Sequence, residues 1–231
     1  MIRYGWWKIL VFVALIGLCS ATAVMAQGAT FADAQQGFSF TVPSGWQQGS
    51  PPPSTSLPAG TVVAAVFNTS APVNGSFNVV TVAVPAGTDL DQVTTQSRAG
   101  VAKSLPGYQE GPGGIQNLTV GGQPARRYDY FLTPPQASKL HGAQILALRA
   151  NTIYILTFTA PDDQFDAFFQ QGSSALNSFT FTGTGGATMT ALPSTGMPTR
   201  AQWQGTRALL VLMLGSALIA AGFTVRRSSR V

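Results

Sequence analysis

Cysteine and histidine are almost missing from these 231 residues: the chain has one of each, Cys19 and His141. Cys19 sits in the apolar run near the N-terminus, so a chain that loses that run keeps no thiol. This excludes an internal disulfide and a thiolate metal site in the remainder. A zinc site or a nucleophilic triad would need more around a histidine than His141 has. In KLHG it reads as a surface residue in a loop. Charge is scarce too, at 9% of residues, and its net value of +5 misleads. Arg3 and Lys8 lie at the start, and Arg200, Arg207, Arg226, Arg227 and Arg230 at the end. The middle keeps six basic residues (Arg98, Lys103, Arg126, Arg127, Lys139, Arg149) against eight acidic ones, so it is mildly acidic. The basic excess therefore reports topology. A nucleic-acid partner, which needs a clustered basic face, is not expected.

The ends carry the long apolar runs. Residues 1–26, MIRYGWWKILVFVALIGLCSATAVMA, have a basic start, an apolar centre and small residues ahead of Ala26. They read as a secretory signal peptide cleaved after Ala26. An uncleaved N-terminal anchor is the other reading of the same segment. Residues 208–225, ALLVLMLGSALIAAGFTV, carry no charge. As a helix they would reach about 27 Å, close to the hydrocarbon thickness of a bilayer. The basic tail 226–231 should then stay in the cytoplasm, which places the middle outside the cell.

Between domain and span lies a flexible linker, 183–207, containing Leu192-Pro193-Ser194-Thr195-Gly196. Proline keeps the chain extended ahead of it, and glycine lets another backbone approach closely. This motif, the apolar span and the basic tail resemble the cell-wall sorting signal of sortase substrates. The resemblance implies cleavage between Thr195 and Gly196 and transfer of the Thr195 carboxyl to an amine of the envelope. Sortase would be a transient partner and would supply the reactive cysteine. One feature departs from the pattern: eleven residues, Met197 to Arg207, separate motif and span, and they include Arg200 and Arg207. A plain single-pass membrane protein with LPSTG in its linker stays open.

The folded part is expected over 29–182. Alternating and β-branched runs predict strands at 37–42, 61–67, 77–84, 116–120, 123–132, 142–150 and 152–160, with a short one at 178–181. A helix is expected over 89–104, ended by Pro106-Gly107. A second should begin at Asp162-Asp163, with these acids in its first turn and Phe165, Phe168, Phe169, Leu176 and Phe179 as its apolar stripe. That order gives an α+β domain, a mostly antiparallel sheet with helices packed on it. GFSFTVPSGW, GGQPARRYDY and YILTFTAP, followed by a helix and NSFTF, resemble the PsbP-like domains. The resemblance implies an α/β/α sandwich and brings no catalytic residue.

Candidate sites in the middle are few. Asp162, Asp163 and Asp166 have a spacing that could hold calcium, but they lack the glycine and distal glutamate of an EF-hand loop, and helix N-terminal acids explain them without a metal. Arg126-Arg127 beside Tyr128 and Tyr130 could meet an anion or a sugar ring, and strand alternation also accounts for them. Trp46 is read as plugging the end of the sheet. Asn68, Asn74 and Asn117 each fit Asn-x-Ser/Thr. No cofactor is implied. The expected function is a secreted, envelope-displayed, non-enzymatic binding or structural module. The enzymatic alternative is a hydrolase using a carboxylate pair such as Asp33 and Asp129.

Overall fold

The computed structural model describes residues 28–51, 60–134 and 138–183. The signal segment 1–26, the motif Leu192 to Gly196, the span 208–225 and the tail 226–231 lie outside these residues. Among the described residues no helix is long and apolar enough to cross a membrane.

Eight of the strands form one antiparallel sheet. These are β3 (Gln47–Gln48), β4 (Thr61–Thr69), β5 (Gly75–Ala83), β6 (Tyr108–Glu110), β7 (Gln116–Val120), β8 (Gln123–Leu132), β9 (Leu140–Arg149) and β10 (Thr152–Pro161). Their order is β3-β4-β5-β10-β9-β8-β6, and β7 also pairs with β8. A smaller sheet, β1-β2-β11, is built from Thr30–Asp33, Phe38–Thr41 and Thr180–Phe181. The strand runs of the sequence thus find their partners. The short β1, β3 and β6 are additions the sequence did not suggest.

Helix α1 (Leu90–Ser104) begins where expected, because Asp89 caps it by accepting from the Asp91 N–H at 2.9 Å. It lies over β6, β8 and β9. Its buried face is small and polar, with Thr94, Ser97 and Gly100 between Leu90 and Val101. Gly107 then turns the chain at φ +73°, so close to Thr133 that a Cβ would sit 2.5 Å from its carbonyl oxygen.

The opposite face carries the larger core. Helix α2 (Phe165–Asn177) and the small sheet pack there, joining Phe38, Phe40 and Phe168 to Phe67, Phe77 and Phe158. Trp46 is 1% exposed and stacks on Phe168 at 5.4 Å, so it belongs to the core itself. Burying each such ring contributes about 1.5–3 kcal/mol. Helix α2 starts later than its acids suggested. Gln164 is its N-cap residue and makes no side-chain capping bond, while Asp162 lies before it. The layers are therefore α1, the large sheet, and then α2 beside the small sheet: an α+β architecture with an antiparallel sheet and two helices.

The β9–β10 hairpin closes through Ala150 and Asn151, since Arg149 pairs with Thr152. The expected strands 142–150 and 152–160 leave Asn151 alone as the turn between them. The left-handed position is instead Ala150, at φ +49°.

Candidate functional site

Strand alternation sends Arg127, Asp129 and Phe131 to the α2 side of β8, while Tyr128 and Tyr130 face α1. Register then places His141 of β9 opposite Phe131. His141 is thus a strand residue, its side chain 13% exposed, and not a surface loop residue. The physical reason is that β9 starts at Leu140, two residues earlier than its apolar run suggests, and the ring finds aromatic cover.

That cover is specific. The imidazole stacks on Phe165 of α2 at 3.6 Å and 20°, and meets Phe131 at 4.6 Å. Its Nε2 lies 3.3 Å from Asp129 Oδ2, and its Nδ1 lies 3.8 Å from Asp162 Oδ1. Arg127 donates to Asp129 through two nitrogens, both at 2.7 Å, and its guanidinium lies 4.1 Å from the Phe169 ring centre. Lys139 pairs with Asp162 at 2.9 Å and sits 3.7 Å from the Phe131 ring centre. Burial pushes the Asp129 carboxyl up, but hydrogen bonds from His141 and Arg127 outweigh it and hold the group below the ordinary carboxylate range.

This cluster ties three pieces of chain together: β8, β9 and the entry to α2. Both imidazole nitrogens face carboxylates, and two phenyl rings pack against the imidazole, Phe165 stacked and Phe131 tilted at 50°. Among the described residues no hydroxyl or thiol is hydrogen-bonded to His141. The arrangement fastens α2 to the sheet and does not present an activated nucleophile.

On the α1 side, a second polar group is fully enclosed. Ser97 Oγ lies 3.1 Å from both Tyr128 Oη and Gln144 Oε1, and Tyr128 Oη donates to Gln144 Oε1 at 2.5 Å. Burial pushes the Tyr128 phenol well above its usual value and moves Tyr130 up to about 12. Neither phenol ionises in the physiological range.

The remaining sequence candidates are dispersed. Asp33 accepts from the backbone of Gln35 and Gln36, both at 2.9 Å, in the β1–β2 turn. It shares no hydrogen-bonding partner with Asp129, and the two belong to different sheets. Arg126 and Arg127 diverge: Arg126 pairs with Asp91 of α1, at 2.5 Å, and Arg127 with Asp129. Asp162 is taken by Lys139, and Asp166 sits in the first turn of α2. Sequence reading missed the His141 cluster and the Ser97–Tyr128–Gln144 group. The period-2 spacing of Arg127, Asp129 and Phe131 was the available sign of the first; the second needed the register.

Comparison with known proteins agrees with this fold. The family model described as DcrB matches residues 38–178, more than half of the chain. No curated protein matches the chain. The solution structure of cyanobacterial PsbP (CyanoP) from Synechocystis is similar, with a TM-score of 0.51 and 17% identity, covering 72% of this chain and 98% of that one. LpqN of Mycobacterium tuberculosis, described as involved in cell envelope biogenesis, aligns with a TM-score of 0.45 and 16% identity over 69% of this chain and 87% of that one. The Ran-binding protein Mog1p of Saccharomyces cerevisiae aligns with a TM-score of 0.45 and 12% identity over 68% and 96% of the two chains. The CyanoP likeness bears out the PsbP-like fold that the resemblance implied.

Proposed function

We propose, for a chain that belongs to the DcrB family through residues 38–178, that the described domain is a non-catalytic binding or structural module carried on the outer face of the cell envelope. The observation behind the non-catalytic part is the commitment of its polar groups. His141, Asp129, Arg127, Lys139 and Asp162 satisfy one another across the α2 junction. Asp33, the other half of the carboxylate pair, is occupied in a turn. A hydrolase would need a nucleophile and a base held side by side in a cleft.

The envelope location rests on the ends of the sequence. A secretory leader at 1–26 would export the domain, and the apolar run 208–225 with its basic tail would stop transfer. Leu192, Pro193, Ser194, Thr195 and Gly196 would then present a sortase with an extended substrate beside the membrane. The sortase thiolate would attack the Thr195 carbonyl, release the Gly196 amine with residues 196–231, and pass the acyl group from the thioester to an envelope amine. A second reading draws on the eleven-residue charged gap before the span: a single-pass protein that keeps residues 196–231.

Surface labelling tests the location. Lys103 and Lys139 are both exposed on the domain. A membrane-impermeant amine reagent should modify them on intact cells. Labelling that appears only after lysis contradicts the proposal.

A further inference from the structure

Strand β7 is an open edge of the large sheet. It pairs with β8 on one side, and among the described residues no strand pairs with it on the other. Native sheets guard such edges with charges, prolines or very short strands. The far edge is guarded in this way: it ends in β3, two residues long, with Pro51, Pro52 and Pro53 close behind it in sequence. QNLTV at β7 carries no charge and no proline, and four of its five residues are exposed or half-buried. Leu118 and Val120 pack with the core on the α2 side. Alternation puts Gln116 on that side too and turns Asn117 and Thr119 the other way.

The chain leaves the fold beside this edge. After β11 the Thr182 N–H donates to the Gly37 carbonyl, and Arg149 donates to the carbonyls of Thr182 and Gly183. Phe181 lies against Gly121, the residue that follows β7. A Cβ on Gly121 would sit 2.7 Å from the Phe181 ring and 3.1 Å from the Phe179 carbonyl oxygen. The sequence that comes next carries a strand signal. Ala187-Thr188-Met189-Thr190-Ala191-Leu192 alternates small or apolar residues with threonine, a period of two. Pro193 ends the run, because it has no N–H for a ladder. Neighbouring strands lie about 4.8 Å apart. The four steps from Gly183 to Ala187 cover up to about 13 Å when extended, enough to carry the chain past the Val120 end of β7.

We propose that residues 187–192 dock on the open edge of β7 as a further antiparallel strand. The direction follows from the exit: the segment starts at the Val120 end and runs toward Gln116. Ala187, Met189 and Ala191 then face Val120, Leu118 and Gln116, while Thr188 and Thr190 face Thr119 and Asn117. This register sets Met189 against Leu118 on the core side and polar against polar on the other, the kinds of cross-strand pair that stabilise a sheet. A slip by one residue turns the threonines toward the core, so the register is specified. The chain's own segment outcompetes a free strand for the edge, because so short a tether gives it an effective concentration on the order of millimolar. Docking shortens the free linker to residues 193–207 and sets the start of the LPSTG motif at the sheet edge. It needs neither processing of that motif nor envelope display, so its failure leaves the proposed function standing.

The test is hydrogen exchange, read by mass spectrometry on the full chain in detergent, with a cysteine trap beside it. Amides of 187–192 should exchange at least about tenfold more slowly than the unstructured rate for their sequence. Met189→Pro breaks the docked strand at its centre, so it should restore that rate in the segment and speed exchange at 116–120. The trap uses Cys19→Ser chains that carry Leu118→Cys with either Met189→Cys or, as the tether control, Met197→Cys. Oxidation should bridge positions 118 and 189 within one chain at least about tenfold faster than positions 118 and 197, because cross-strand neighbours are already close. Exchange of 187–192 at the unstructured rate overturns the proposal, whatever the cysteine variants do. So does protection that Met189→Pro leaves unchanged, or equal rates of bridging. A bridge from position 118 to 189 that forms between two chains also overturns it and assigns the edge to a second copy.

Discussion

Replacing Asp129 by asparagine should loosen the junction between β8, β9 and α2. The substitution keeps the shape and one acceptor and removes the charge. Asp129 is 9% exposed and receives two hydrogen bonds of 2.7 Å from Arg127, with His141 at 3.3 Å. A hydrogen bond to a charged group contributes about 1.5–3 kcal/mol. Asparagine retains part of this, and Arg127 keeps its contact with Phe169, so we expect a loss of about 2 kcal/mol. For a domain of this size that corresponds to a fall of about 4–8 °C in melting temperature. The pH dependence follows from the direction of the shift. Asp129 is held below the ordinary carboxylate range in the folded chain. Its contribution is therefore complete above the unfolded carboxyl value of about 3.9 and is lost as pH falls through the lower, folded value. Urea titrations of the parent and of D129N at neutral pH should differ by the full amount, and the gap should shrink in acid near pH ~3. A gap equal at both pH values, or a shift of melting temperature below about 1 °C, refutes this reading of the cluster.

Two further substitutions probe the α1 face and the hairpin. Tyr128→Phe removes one hydroxyl from the enclosed group with Ser97 and Gln144, and should cost about 1–2 kcal/mol with no change in fold, measured by thermal unfolding. Ala150→Gly relieves a left-handed backbone that costs a non-glycine residue about 1–2 kcal/mol. Part of the gain is offset by greater freedom of the unfolded chain, so a net stabilisation of about 0.5 kcal/mol is expected in the same assay.

Much of the fold was legible because period-2 patterning is strong in long strands. The limits of β7 and β8 match the expected ones residue for residue. Helix α1 was legible through Asp89 and Lys103 at its two ends. The two-to-four-residue strands β1, β3 and β6 were not, since so short a run has no pattern and exists only because a neighbour pairs with it. The start of α2 shifted because Asp162 serves Lys139 and not the helix. The deeper difficulty lies in YILTFTAP. Thr157 and Thr159 alternate with Phe158, which normally marks a solvent face. The structure buries both faces of β10, so the alternation separates an aromatic layer from a polar one. Sequence shows that two faces differ. Only the register shows that Asn68, Ser76 and Thr159 fall in one row.

The central claim is that this domain is displayed on the envelope and handed over at its LPSTG motif. Mass spectrometry of the mature protein from its native envelope tests it most directly. The account predicts an N-terminus at Gln27 and a C-terminus at Thr195, its carboxyl joined to an envelope amine. A free C-terminus at Val231 would contradict it, leaving a single-pass membrane protein in which Leu192 to Gly196 is only linker.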